Sequence, residues 1–334
     1  MNKVRGVFLL GLVLCFLGCE KEEALYKFDA PKFDTTSKRL EISMGTDYTN
    51  QVYIELETSN TFTNDFKIWD LALPSDLNQL NVRMNDANAA YLSHSTFNNI
   101  RMKEDLPITG WNIDESCGDK DSCAIGSWYT KKNGVIESKK LVYILDRGEL
   151  AVGERYYKFQ IVEKTEDSYV IAYGLYNSTS YMTKTVPIDK NKNYNYFNLS
   201  KGAVENIEHF NKDKWDLVFR PYRHVFLDEV PVLEYVVVGT LINPNKVKVY
   251  ECTDVLYDAI DYDYAKSSIE YTSVWDVIGF DWKEFDRNTN RYAIRSNLSY
   301  VIEDTKGVFY KLRFLSFYNK FGEKGFPKLE YVRL

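Results

Sequence analysis

The feature that most restricts what this chain can fold into is a series of short segments in which apolar and polar side chains alternate. Residues 52–56, 141–145, 156–162, 169–173, 235–239 and 310–314 are each rich in Val, Ile, Tyr or Phe and bounded by Gly, Asn, Asp or charged turns. A period of two sends successive side chains to opposite faces of a strand, so each segment reads as a half-buried strand. No helical period persists: only short stretches around 254–266 and 86–92 qualify as helix candidates. The expected fold is mainly β and antiparallel. Composition agrees, because 26 Tyr, 19 Phe and 6 Trp suit a pleated, half-buried surface. Eight Pro and 17 Gly are too few for a collagen-like or linker-dominated chain.

The strands recur in order. Phe66-Lys67-Ile68-Trp69-Asp70-Leu71-Ala72-Leu73 matches Asp213-Lys214-Trp215-Asp216-Leu217-Val218-Phe219, and residues 108–112 loosely match 278–283. Residues 141–146 match 298–303, and 156–159 match 309–312. Units of this length are too long for a solenoid, which points to a tandem duplication of one antiparallel β-domain. The polar stretch 189–193 is the expected boundary, giving domains at 46–188 and 189–334. In each Trp-Asp pair the indole suits a strand's inner face, while the aspartate, on the opposite face, suits capping a turn or accepting N–H groups.

Residues 1–18 carry Lys3 and Arg5 and then an apolar run from Val7 to Leu17, the pattern of a signal peptide and too short to span a membrane. The run ends Phe16-Leu17-Gly18-Cys19, which resembles a bacterial lipobox with Cys19 as the lipidated residue. Glu20-Lys21-Glu22-Glu23 resembles the signal that Bacteroidota place after that cysteine to send lipoproteins to the outer face of the outer membrane. Residues 19–45 then form a tether. Loss of Lys3 and Arg5 with residues 1–18 leaves 40 basic against 48 acidic side chains. A body of that charge is expected to be soluble and lipid-anchored at the cell surface.

The acidic balance, with no clustered Lys and Arg, excludes nucleic acid as an expected partner. Only His94, His209 and His224 are present, which leaves little for a histidine triad or a multi-histidine zinc site. The common nucleophile, phosphate and dinucleotide motifs are absent, and no carboxylate pair is distinguished by spacing, so no enzyme activity is expected. Cys117 and Cys123 are too widely spaced for a thioredoxin-type pair and read, outside the cytoplasm, as a disulfide closing a small loop. Cys252 reads as a buried free thiol. Asp114, Asp119 and Asp121 lack the EF-hand spacing and read as a solvated acidic loop. Residues 220–226 place Arg220, Tyr222, Arg223 and His224 together: either a site for an anionic aromatic ligand, with His224 toward a metal, or a plain strand end.

The second half resembles the HmuY family of haem-binding surface lipoproteins. Carrying the resemblance are residues 196–202, the Trp215-Asp216-Leu217-Val218-Phe219 strand, Tyr222-Arg223 and Gly239-Thr240-Leu241-Ile242-Asn243-Pro244. Residues 278–285, 310–319 and 325–331 continue it in the same order. The first half looks like a diverged copy. The resemblance implies an all-β, hand-like fold that grips haem and passes it to a TonB-dependent outer-membrane receptor. It also implies two side-chain ligands to iron, one near Asp286-Arg287 and one in residues 265–270. Neither region contains His or Met. His224 alone, a tyrosine (Tyr262, Tyr264 or Tyr292), or a different guest are the alternatives this leaves. The site expected here is Tyr222, Arg223, His224 and Arg287, with haem as ligand. The other expectation is a non-haem lipoprotein that binds a glycan or peptide through exposed Tyr and Trp.

Overall fold

The alternating segments named above are all strands in the computed structural model, which describes residues 36–93, 106–107, 109–148, 153–226, 230–231, 233–267 and 269–334. In chain order β1 is Lys38–Glu41, β2 Asn50–Glu55, β3 Asn60–Asp65, β4 Leu71–Pro74, β5 Arg83–Met84, β6 Ala89–Ser93, β7 Tyr129–Lys132 and β8 Val135–Ser138. Then come β9 Val142–Asp146, β10 Tyr156–Lys164, β11 Ser168–Leu175, β12 Met182–Pro187, β13 Tyr194–Asn198, β14 Ala203–Glu205 and β15 Leu217–Phe226. The last are β16 Leu233–Ile242, β17 Lys248–Cys252, β18 Lys283–Asp286, β19 Arg291–Ile294, β20 Ser299–Glu303, β21 Phe309–Tyr318 and β22 Lys324–Arg333. Helix is confined to Tyr262–Ala265 (α1) and short 3-10 turns. The candidate at 86–92 is instead largely β6, drawn into a sheet by pairing with β9. No helix among the described residues is long and apolar enough to cross a membrane. Residues 1–35, with the signal segment, Cys19 and most of the tether, lie outside the described residues, as does His94.

All strand pairs are antiparallel, and packing divides them into two lobes. One lobe holds the sheets β14-β13-β4-β5 and β12-β11-β10-β9-β6, around a core that includes Leu71, Trp128, Tyr143, Phe159 and Phe197. The other holds β16-β15-β2-β3 and β1-β22-β21-β20-β17, around Ile54, Phe219, Trp282, Phe314 and Tyr331. The first lobe is therefore continuous, 71–205, and is inserted between β3 and β15 of the second. A boundary at 188/189 falls inside the first lobe, between β12 and β13, and does not separate the packed bodies. Strands travel across it: β1, β2 and β3 join the sheets of the C-terminal half, while β13 and β14 join those of the N-terminal half.

The repeated Trp-Asp pairs hold this exchange together in matching ways. The Asp70 N–H donates to Phe197 O (2.9 Å) and its Oδ2 accepts the Leu199 N–H (2.7 Å). The Asp216 N–H donates to Ile54 O (2.8 Å) and its Oδ2 accepts the Leu56 N–H (2.7 Å). Each aspartate thus caps the strand received from the other half. Asn85 Nδ2 donates to Phe66 O (2.6 Å) and Trp69 O (3.1 Å); Asn243 Nδ2 donates to Lys212 O (2.7 Å) and Trp215 O (2.6 Å). Trp69 meets Tyr196 edge to face at 4.9 Å, and Trp215 meets Tyr53 likewise at 4.9 Å. Both indoles are core residues, as their strand positions imply, and with Tyr222 and Leu241 they form a third cluster between the lobes.

The two aspartates differ in what neutralises them. Asp70 faces the buried Arg147 guanidinium at 2.7 Å, whereas Asp216 has no ion pair among those described. Removing one partner of a buried pair costs about 3–5 kcal/mol; losing a buried acceptor costs ~1–3 kcal/mol. Asp70→Ala should therefore destabilise the chain more than Asp216→Ala when both are unfolded in urea.

Burial raises the Asp216 carboxyl from 3.8 to about 7, so the folded chain keeps a proton that the unfolded chain has released. Its stabilising contribution is complete below the unfolded value and is lost as pH rises through the folded one. Glu208, raised to about 7, and Asp114, raised to about 6, act in the same direction. Thermal stability should fall between about pH 4 and 7, and Asp216→Asn should flatten that slope.

Candidate functional site

Strand pairing leaves part of the β15–β16 hairpin without a third strand. β2 pairs with β15 only over Leu217–Phe219, whereas β16 pairs with it as far as Phe226. Beyond Phe219 the hairpin is a two-stranded arm, and its outer residues Leu233, Tyr235 and Val236 are 50%, 62% and 41% exposed. Exposed apolar surface gathered on one hairpin is the kind of patch that interaction sites present. Beneath it the chain from 276 to 282 is pinned to β16: Thr240 N–H donates to Gly279 O (2.8 Å), and Gly279 N–H returns to Thr240 O (3.1 Å). Gly239 permits this approach, since a Cβ there would stand 2.4 Å from Gly279 O. Trp282 then stacks on Phe314 at 3.9 Å and fixes the start of the β18–β19 hairpin.

Arm, pinned loop and hairpin enclose a groove of ≈ 480 Å³. Phe226, Tyr235 and Val238 line it from the arm, and Phe280, Phe285 and Tyr292 from the loop and hairpin. Tyr48 and Phe317 also contribute to its wall. Its charged side chains are Lys67, Lys283 and Lys324 against Asp47. Lys283 is 7% exposed, and its Nζ donates to Val238 O (2.6 Å) and Phe280 O (3.1 Å). The rings of Trp282, Phe317 and Tyr292 lie 4.5, 5.0 and 5.6 Å from that nitrogen. Burial pulls the Lys283 amine down to about 7, with Asp281 opposing it in part.

The expected site residues do not converge. Tyr222 is buried between the lobes, 1% exposed. Arg223, on the opposite face of β15, reaches Ala87 O at 3.5 Å and Glu234 at 3.8 Å and lines a separate hollow with Trp111 and Arg155. His224 packs against Phe226 (4.8 Å) and Phe280 (5.1 Å), with Nδ1 4.0 Å from Asp276 Oδ2. It touches two groove residues without itself lining the groove. Arg287 is exposed in the β18–β19 turn, where Asp286 accepts from Asn288 and Thr289. Of the alternative tyrosines, Tyr292 lines the groove, whereas Tyr264 packs with Cys252 and Ile260 in another cluster and Tyr262 lies against Phe309. Of residues 265–270, those described do not line it.

Other expectations resolve differently. Cys117 and Cys123 are free thiols: Cys117 Sγ contacts Glu115 Oε2 and Cys123 Sγ the Asp119 carbonyl, each at 3.8 Å, so the expected disulfide is not formed. Burial pushes the Cys123 thiol up to about 12, which suppresses the thiolate that exchange would need. Cys252 is a buried free thiol, as expected. Asp114 is no solvated loop residue; it is buried and accepts the Met84 (2.6 Å) and Ala124 (2.7 Å) N–H groups. Among the described residues no group of three His, Cys, Asp or Glu side chains is gathered to hold a metal ion.

Residues 190–331 match the family model described as HmuY protein. This region is an HmuY-like domain. It contains the arm, the pinned loop and the β18–β19 hairpin, and so most of the groove; Asp47, Tyr48 and Lys67 are supplied from outside it. Solved structures similar to the chain include the apo HmuY analogue of Tannerella forsythia, at 11% identity, covering 90% of this chain and 97% of that one with a TM-score of 0.26. Apo PinO from Porphyromonas gingivitis matches at 9% identity, covering 90% and 98% with a TM-score of 0.26. A Bacteroides vulgatus protein described as a HmuY-like heme binding protein matches at 14%, covering 89% and 92% with a TM-score of 0.22. These overlays are loose, and the likeness to HmuY rests on the sequence match over residues 190–331. No curated protein matches the chain.

The environment of Lys283 has a direct readout. In a titration of the protein labelled with ¹³C at lysine Cε, one resonance should move with a midpoint near 7 and vanish from that position in Lys283→Met. A Lys283 midpoint at the ordinary lysine value of ~10.4 would show that the amine is solvated.

Proposed function

We propose that this chain is a non-enzymatic lipoprotein of the outer membrane, held at the cell surface by lipid on Cys19, that binds haem or a related iron compound. Having bound it, the protein passes the cargo to a TonB-dependent receptor. The observation that carries the reading is the aromatic groove of ≈ 480 Å³ between the arm and the β18–β19 hairpin, within an HmuY-like region. A flat, apolar guest with acid groups suits it: Phe226, Phe280, Phe285 and Tyr235 offer ring faces and edges, while Lys67, Lys283 and Lys324 offer positive charge. The paired Trp-Asp contacts support a shared origin of the two halves by duplication, with the first half a diverged HmuY-like copy.

A glycan or peptide is the second reading. It is favoured by the hollow of ≈ 380 Å³ lined by Trp111, Arg155, Arg223 and Glu234, whose aromatic ring and paired charges suit polyhydroxylated or zwitterionic guests.

Haemin added to residues 20–334 should develop a saturable Soret change. Phe280→Ala should weaken it about tenfold, because an aromatic wall contributes ~1.4 kcal/mol or more through buried area. A titration indistinguishable from haemin in buffer would overturn the haem reading; binding unaffected by Phe280→Ala would move the site away from the groove.

A further inference from the structure

Haem offers a protein two kinds of handle, its iron and its flat ring with acidic edges, and the groove is equipped for only one of them. Among the described residues no His, Met or Cys lines the groove. The oxygen donors that line it are Asp47, Tyr48, Tyr235 and Tyr292. An iron-bound tyrosine is a phenolate, yet Tyr48 and Tyr292 are both driven toward the protonated form, first by burial and then by the neighbouring tyrosines. His224 contacts Phe226 and Phe280, which line the wall, and is not itself a lining residue.

The handle the groove does provide is anion recognition beside aromatic surface. Lys283 is held by two carbonyls, which occupy two of its three N–H directions. The three rings around it keep water away and leave its charge weakly screened. Lys324 lies 5.3 Å over the Tyr48 ring, and Lys67 enters from the first half of the chain. Three cations against the single carboxylate of Asp47 make the lining complementary to a dianion.

We infer that the groove recognises a flat tetrapyrrole through its ring face and its carboxylates and not through its metal, so that the metal-free dicarboxylic porphyrin is a ligand in its own right. The inference rests on the groove being the tetrapyrrole site proposed above. It assigns Lys283, Lys324 and Lys67 as the residues that select for the acid groups. Binding should weaken as pH rises through neutrality, since a protonated Lys283 pairs with a carboxylate and a neutral one does not. The other titratable groups facing Lys283 or lining the groove are Asp281, Asp47, Tyr48, Tyr235, Tyr292, Lys67 and Lys324.

The test compares three probes on the full-length mature chain: haemin followed by its Soret band, and protoporphyrin IX and its dimethyl ester followed by fluorescence. Protoporphyrin IX should bind within about tenfold of haemin, and the dimethyl ester at least about tenfold more weakly than the diacid. Lys283→Met should weaken haemin and protoporphyrin alike. Because that residue is buried, the exposed Lys324→Met serves as the variant least able to disturb folding, with the same expected direction. Haemin binding with protoporphyrin more than about a hundredfold weaker would leave the haem reading standing and overturn the inference. So would a Soret maximum that moves in His224→Ala, since it would reveal an iron ligand in the wall. Equal binding of ester and diacid would remove the lysines from recognition. Failure of every probe would overturn the tetrapyrrole site itself.

Discussion

Each lobe is completed by strands that come from the other half of the sequence, and the contact on which that exchange depends is a buried aspartate following a buried tryptophan. Asp70 and Asp216 each bind the incoming strand twice, through their own backbone N–H and through a carboxylate oxygen. A carboxylate that accepts a backbone N–H in the interior satisfies a donor that would otherwise be orphaned where the strand leaves its sheet. The tryptophan beside it supplies the apolar area, and the asparagine after the next strand ties off the carbonyls around the turn. Together these side chains make a joint, and the molecule has two of them related by its internal repeat.

Because the joints interlock, residues 34–334 behave as one compact unit. This has a direct consequence for the groove. The C-terminal half carries the arm and the β18–β19 hairpin, but Asp47, Tyr48 and Lys67 reach the groove only because β2 and β3 are bound into the C-terminal sheet. The arm projects because β2 is short: its pairing with β15 stops at Phe219, and the remaining hairpin extends past the supported sheet. An exposed apolar hairpin is a hazard for a free protein, since it offers edges and surface to any neighbour. Its retention here is consistent with a recognition role.

Much of this was legible in the residues. Alternation in 52–56, 141–145 and 310–314 marked β2, β9 and β21, and the repeated Trp-Asp dipeptides identified both the core indoles and aspartates suited to accept N–H groups. The groove was legible only in part. Phe280, Lys283 and Phe285 lie in a segment that resembles a known family, and Phe226 lies in the cationic-aromatic cluster. Tyr48 and Lys324 carried no local signal, and Lys67 and Phe317, although in segments marked by repetition or resemblance, carried none that pointed to a groove. Tyr222, Arg223 and His224 are consecutive on a strand and so cannot all face one pocket, which adjacency in the sequence does not reveal.

By itself the sequence determined where strands such as β2, β9 and β21 run, because alternation and turn chemistry act over a few residues and need no partner; that β2 and β9 are buried on both faces it did not determine. Tertiary structure alone decided which half supplies each strand of each lobe. Antiparallel backbone hydrogen bonds are the same for any partner, so strand choice is settled by packing at the Trp-Asp joints. The same packing decided that Lys283 lies buried among rings with a lowered basicity, a property of its surroundings and not of lysine.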